Sequence, residues 1–277
     1  MDTHDRSSLP RHATPPDRVA LPSDVDATPP LDPIFDEVIA RGLKDLGLTL
    51  GEAERAAIDA HARLLLAWNA HVNLSGLRTP EQVARGQILD SLIAVPALRE
   101  LGERPTLLDL GSGGGFPGLP LAVALPARRA AVIDSIGKKA AFLEVAAAAV
   151  RDVVDVRVLA ERAEDLAEDH EQREAWDIVT ARAVGSIAQV AELGLPLARV
   201  GGYLIAWKLA SPQLRRELAD ATKTIRAVGG DEARIVELSA ADAVGLTGHC
   251  LVVIDKVRPT PDVYPRPPGE RRRRPLG

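Results

Sequence analysis

One cysteine, Cys250, is all that the 277 residues contain, so no disulfide can form within the chain. Nor do cysteines and histidines cluster at zinc-ligand spacing, and no metal site is expected. The opening stretch, MDTHDRSSLPRHATPPDRVALPSD, has no apolar core of signal-peptide length, and no later run is long enough to cross a bilayer. A cytoplasmic protein without a membrane partner is expected. Internal repeats are absent as well. The formal net charge of -5 gives no global sign of a polyanionic partner.

What is present is an ordinary folding composition, 46% apolar, enough for a sizeable core in one large domain or two small ones. Residues 1 to 33 hold seven of the 21 prolines and almost no apolar periodicity, which predicts a disordered extension. Between residues 34 and 101 the segments IFDEVIARGLKDLG, GEAERAAIDAHARLLLAWNAHVN and PEQVARGQILDSLIAVPALRELG place apolar residues three and four apart. They predict three helices ahead of the main domain. From residue 102 to 258 short apolar runs (TLLDL, AAVID, VVDVRVL, WDIVTA, GGYLIAW, CLVVIDKV) alternate with helical patterns, the signature of a parallel α/β sheet covered on both faces. Residues 259 to 277 read as a disordered basic tail. From 255 onward there are seven basic and three acidic side chains, a net charge of +4 that could meet phosphates or simply be solvated.

The chemistry-bearing stretch is LLDLGSGGGFPGLP, residues 107 to 120. Glycines in such a turn permit positive φ and let a ligand reach main-chain N–H groups without meeting a Cβ, and a loop at the carboxyl end of the first strand is where α/β sheets bind ligands. Two registers compete. Gly113, Gly115 and Gly118 fit the dinucleotide fingerprint, but the oxidoreductase it suggests lacks a Tyr-x-x-x-Lys donor, since neither Tyr203 nor Tyr264 has a lysine four residues on. The alternative begins at Asp109 and runs Asp109-Leu110-Gly111-Ser112-Gly113-Gly114-Gly115, and it resembles motif I of Rossmann-like S-adenosylmethionine-dependent methyltransferases. Asp109 either caps this loop or touches the cofactor. Asp134, ending the next strand, is placed by the general logic of the fold to hold a ribose hydroxyl.

Taken in order, AWNAHVNLSG, QILDSL, LLDLGSGGGFPGLPLAVALP, VIDSIGKKAAFLE, ERAEDL, VTARAVGS and GGYLIAWK resemble the RsmG (GidB) family of bacterial 16S ribosomal RNA guanine-N7 methyltransferases, from about Leu43 to Val257. The resemblance implies a class I Rossmann-like fold with a mostly parallel seven-stranded sheet, S-adenosyl-L-methionine as cofactor, and 16S ribosomal RNA or the small ribosomal subunit as partner. Carried over by position, cofactor contacts fall on Gly111, Phe116, Ala163, Glu164 and Arg182. Where the family commonly has Arg-His before the ILDS-type segment, this chain has Gly86-Gln87, with Arg85 displaced by one.

Lys138, Lys139, Arg162 and Lys208 are candidate RNA contacts near strand ends, with a solvated helix face as the plainer reading of the two adjacent lysines. Arg182 and Lys208 are candidates for positioning the base, and Trp207 either joins them or points into the core. No residue is assigned as a catalytic acid or base. Guanine N7 has a free in-plane lone pair and no proton to lose, so His61, His71 and His249 are expected to pack or be solvated.

Overall fold

The computed structural model describes residues 20–101, 104–274 and 276. Helices come first: α1 (Ile34–Asp45), α2 (Glu52–Asn69), and a third segment that is not one regular helix. It consists of α3 (Pro80–Val83), a π-helical stretch (Ala84–Leu89), α4 (Asp90–Leu92) and α5 (Val95–Arg99). Local chemistry sets where it starts, because Thr79 and Gln82 form a reciprocal capping box and Pro80 occupies the first turn. The widened turn at residues 84–89 is not visible in the apolar spacing, which predicts a single continuous helix.

The α/β part follows as β1 (Thr106–Leu110), α6 (Gly118–Ala124), β2 (Arg129–Ile133), α7 (Gly137–Ala149), β3 (Val156–Leu159), α8 (Ala163–Leu166) and β4 (Trp176–Arg182). It continues with α9 (Ile187–Gly194), β5 (Ala198–Leu209), α10 (Pro212–Ala227), β6 (Arg234–Glu237), β7 (His249–Asp255) and α11 (Pro268–Arg273). The seven strands form one sheet in the order β3-β2-β1-β4-β5-β7-β6, and β7 runs antiparallel to both its neighbours. β6 has no counterpart among the apolar runs of the sequence. It is a four-residue edge strand whose side chains are exposed or half-buried, so alternation has little to act on.

The sheet divides the core into two. Leu107, Val132, Ile178 and Ile205 face a cluster shared by α6, α7 and the helical preface, including Phe35, Ile58 and Leu65. Leu108, Ala131, Val179 and Leu204 face Ile187 and Val190 of α9 and Leu214 and Ile225 of α10. Each such side chain, once buried, contributes about 1.5–3 kcal/mol relative to exposure, so the preface is held onto the sheet by the same core that holds α6 and α7. It is a layer of the domain.

Both ends depart from expectation. Residues 20–33 pack on α2: Trp68 Nε1 donates to Pro22 O at 2.7 Å, and Arg63 donates to Pro29 O at 3.0 Å and Val25 O at 3.1 Å. The remaining residues of the expected N-terminal extension, 1–19, lie outside those described. At the other end, residues 259–274 are anchored as well. Arg266, 6% exposed, donates from Nε and Nη2 to the two carboxylate oxygens of Glu192 at 2.7 Å each. Arg173 donates to Thr260 O and Tyr264 O, both at 3.0 Å. Lys256 is fully buried against Glu174 at 2.8 Å. The partners of Arg266 and Arg271 are some 70 to 110 residues earlier in the chain, so a local charge run gives no sign that these arginines are paired.

Candidate active site

β1 pairs with β2 on one side and β4 on the other, so the crevice above its carboxyl end is where the strand order switches direction. The glycine loop fills this position. Gly111, Gly113 and Gly115 have φ of +64°, +56° and +86°, a region that glycine enters without cost. At Gly111 space matters too, since an added Cβ would lie 2.9 Å from Val184 Cγ2 on the loop after β4. That loop carries the one strained residue at the site, Ala183 with φ of +58°.

Asp109, completely buried, holds the loop to the sheet. It accepts the Thr180 hydroxyl at 2.8 Å and the Gly118 N–H at 3.1 Å. Burial pushes its carboxyl up to about 6, against the lowering effect of these bonds. Asp109 thus caps the loop. Gly118 is where α6 meets β1, because a Cβ there would come within 2.7 Å of Asp109 Cβ and 2.8 Å of Val132 Cγ1. Close helix–strand packing therefore operates at this glycine.

Beneath the loop sits His61, which sequence reasoning left as a packing residue. It is 1% exposed, lies 2.7 Å from Gly114 O through Nε2, and stacks on Phe116 with ring centroids 4.5 Å apart. A carbonyl only accepts, so Nε2 carries the proton. Desolvation lowers the pKa to about 4 and keeps the ring neutral. Phe116 itself is 4% exposed, with its ring between His61 and the guanidinium of Arg182, 5.4 Å from its centroid. The Phe116 ring thus belongs to the floor of the site.

Asp134 stands across the loop from β1. Its Oδ2 accepts the Gly113 N–H at 3.1 Å, its Oδ1 accepts the Ile136 N–H at 2.9 Å, and Lys139 Nζ is 3.8 Å away. Ile136, 46% exposed, presents a bare aliphatic side chain two residues on. Lys138 is exposed and has no bonded partner among the described residues. After β3, Ala163 is half-buried and Glu164 buried, with Glu164 Oε1 accepting from Arg162 Nε at 3.0 Å and Arg271 Nη2 at 2.5 Å.

Arg182, at the end of β4, is the most connected of the predicted residues. Its Nη1 donates to Asp90 Oδ2 at 2.5 Å and Gly86 O at 3.3 Å, and its Nη2 donates to the side-chain oxygen of Gln87. The Gly86-Gln87 pair, where the family commonly has Arg-His, therefore lies in the π-helical stretch and grips this arginine. Gln87 also donates to Ser75 Oγ at 2.8 Å. Asp90 bridges further, its Oδ1 lying 2.6 Å from His249 Nδ1 and its main-chain oxygen accepting from Trp207 Nε1 at 2.7 Å. Trp207 is thereby a core residue and offers no stacking surface. Lys208 is tied to Glu217 at 2.8 Å and Gly185 O at 3.2 Å.

The structure thus gathers Gly111, Phe116, Asp134, Lys139 and Arg182 around one loop, with Ala163, Glu164 and Arg162 on the next strand end, while Lys208 is engaged towards α10. Sequence reasoning missed Asp90, His61 and Arg271 as parts of this region. A clue to Asp90 was its place in QILDSL, one of the segments that carry the family resemblance.

The strand order with its reversed β7, and a glycine loop backed by an acid at the end of β2, define the class of Rossmann-like methyltransferases that use S-adenosylmethionine. Within that class the chain belongs to the GidB family, rRNA small subunit methyltransferase G, whose family model matches residues 54–244. A ribosomal RNA small subunit methyltransferase G from Roseiflexus sp. (strain RS-1) is 40% identical over 231 residues, 83% of this chain and 95% of that protein. The one from Moorella thermoacetica is 36% identical over 241 residues, 87% of this chain and 98% of the relative. Among the described residues no helix is long and apolar enough to cross a membrane, and no group of three metal-ligating side chains occurs.

Proposed function

We propose that the chain transfers a methyl group from S-adenosyl-L-methionine to N7 of a guanine in 16S ribosomal RNA, acting in the cytoplasm where small subunits are assembled. The observation that carries this reading is the meeting, at one switch point, of the positive-φ glycine loop with Asp134, Glu164 and a tightly held Arg182, in a chain of the GidB family.

The residues present fit the cofactor. Gly111 leaves the main chain bare where a Cβ would intrude, Gly113 has a positive φ that glycine adopts freely, Asp134 has a carboxylate for a ribose hydroxyl, Ile136 offers an aliphatic face to a base, and Ala163 and Glu164 bound the same cleft. When bound, S-adenosylmethionine supplies a methyl carbon on a sulfonium sulfur, and the carbon–sulfur electrons return to sulfur as the bond to N7 forms. No proton has to leave N7, so a general base has no task here. His61, buried and neutral, and His249, turned onto Asp90, match that requirement.

What the chain must do is place N7 in line with the methyl carbon, and such positioning can lower a barrier by roughly 7–11 kcal/mol. Arg182 is suited to this. Its guanidinium is fixed by Asp90, Gln87 and Gly86 beside the glycine loop, so little side-chain entropy remains to be lost on binding. Lys138, Lys139 and Arg162 are cations beside the strand ends that bound the cleft, open to the RNA backbone. Extruding the target base costs a few kcal/mol, which these contacts offset.

The test is methyl transfer from labelled S-adenosylmethionine to 16S RNA, offered naked and as purified small subunits, with the product mapped to its nucleotide. Incorporation at a guanine N7 is expected. Incorporation only into another RNA, or at another atom, would overturn the reading.

A further inference from the structure

C-terminal to β7, and beyond residue 244 where the family match ends, lies a segment that folds back beside the cofactor cleft. We propose that this segment builds a binding notch for a backbone phosphate of the RNA substrate, formed by Arg162, Arg271 and Arg272; the inference rests on the function proposed above.

The segment is held in place before any RNA arrives. Arg266 is buried in a two-pronged pair with Glu192, and its Nη1 donates at 2.7 Å to Arg274 O, closing the end of α11 onto the body of the protein. Arg173 grips Thr260 O and Tyr264 O from the other side. α11 therefore presents its arginines at fixed positions. Between α11, α9 and the end of β3 lies a cavity of about 490 Å³ lined by Arg162, Val184, Gln189, Pro268, Arg271 and Arg272. Val184 is the side chain that packs over Gly111, so this cavity adjoins the wall of the cofactor loop.

Its charge is unbalanced. Three guanidinium groups border it, and only Glu164, shared by Arg162 and Arg271, answers them. Arg162 spends its Nε on that carboxylate and Arg271 one Nη2, while Arg271 Nε is buried without an acceptor. Arg272 is exposed and forms no ion pair among the described residues. Guanidinium donors left unspent around a cavity match a phosphate, which accepts through several oxygens at once. An adenosine or methionine moiety carries no compensating double charge, whereas an RNA whose base enters the neighbouring cleft brings a phosphodiester backbone with it.

The probe is a 16S ribosomal RNA transcript, bound by full-length wild type, Arg272→Gln, Arg272→Lys and Arg162→Gln across 50 to 200 mM salt. Each loss of a phosphate contact is expected to flatten the slope of log affinity against log salt by about 1, uniformly with respect to sequence. Arg272→Gln and Arg162→Gln should both do so; Arg272→Lys should keep the wild-type slope, since a lysine retains the charge. S-adenosylmethionine affinity of Arg272→Gln, measured by calorimetry, should be unchanged. Slopes equal to wild type in both glutamine variants would overturn the notch, and so would a loss confined to cofactor affinity. A wild type that binds the transcript but methylates neither naked RNA nor subunits would instead count against the proposed function.

Discussion

Asp90 stands between Arg182 and His249, one carboxylate oxygen 2.5 Å from the guanidinium and the other 2.6 Å from the imidazole. It joins the helical preface to the ends of β4 and β7, and its side chain is only 5% exposed. Asp90→Ala leaves a largely buried guanidinium without its carboxylate, a change that costs about 3–5 kcal/mol when one member of a buried pair is removed. Thermal unfolding should fall accordingly, and the residual folded enzyme should transfer methyl groups more slowly at saturating cofactor. A variant as stable and active as wild type would show that Arg182 needs no such anchor.

Arg182→Ala strands buried Asp90 and should also lower Tm, but the protein that stays folded should lose about tenfold to a hundredfold in single-turnover methylation, the worth of one charged hydrogen-bonding partner of about 1.5–3 kcal/mol. His249→Ala, by contrast, leaves the Asp90–Arg182 contact in place and moves no catalytic proton, so its methyl transfer should stay near wild type. Full activity in Arg182→Ala together with a folded but dead His249→Ala would reverse the assignment.

Asp109 and His61 titrate in opposite senses within the floor of the site. Burial raises Asp109 from 3.8 to about 6, so between those values the folded state holds the extra proton and stability falls as pH rises. Burial lowers His61 from 6.5 to about 4, so there the unfolded state holds the extra proton and stability rises with pH. From about pH 4 to 6 the two effects oppose each other. Asp109→Asn should therefore expose a steeper loss of stability on acidification through this window, and His61→Phe a gain, both read by denaturant unfolding at several pH values. Parallel pH profiles for the wild type and both variants would contradict the burial argument.

The C-terminal segment gives a stability prediction of its own. Arg266→Ala strands Glu192, 3% exposed, without its partner, at a cost of about 3–5 kcal/mol. For a domain of this size that corresponds to a fall in Tm of about 10 °C. An unchanged Tm would return residues 259–274 to the status of a solvated tail.

That segment also marks where sequence reasoning stops. β1, β2, β4 and β7 are legible because each is a dense apolar run with a turn signal at its end, and the glycine loop is legible as a ligand loop because five glycines directly behind a strand ending in an acid leave the backbone open at a strand's carboxyl end. The packing of Arg266 was not, since its partner lies 74 residues away and a run of arginines is ordinarily solvated. The π-helical stretch at 84–89 escaped for a different reason: its apolar residues keep helical spacing, and nothing in that spacing marks where the turn widens. His61 likewise became part of the site through Gly114, 53 residues on.

Cofactor recognition is tested by Gly111→Ala and Asp134→Ala. A Cβ at Gly111 meets Val184 in a left-handed conformation, a strain of about 1–3 kcal/mol, and Asp134→Ala removes the carboxylate proposed to hold the ribose together with the cap on Gly113. Each should weaken S-adenosylmethionine binding about tenfold or more by calorimetry on folded protein. Unchanged affinity in both would mean that the pocket lies elsewhere.

The most direct measurement is a map of N7-methylguanosine in 16S ribosomal RNA from cells that carry the gene, cells that lack it, and cells complemented with Gly111→Arg. One guanine should be methylated at N7 in the first, unmethylated in the second, and still unmethylated in the third despite accumulation of the protein. An N7-methylguanosine pattern identical in all three would contradict the function assigned to this chain.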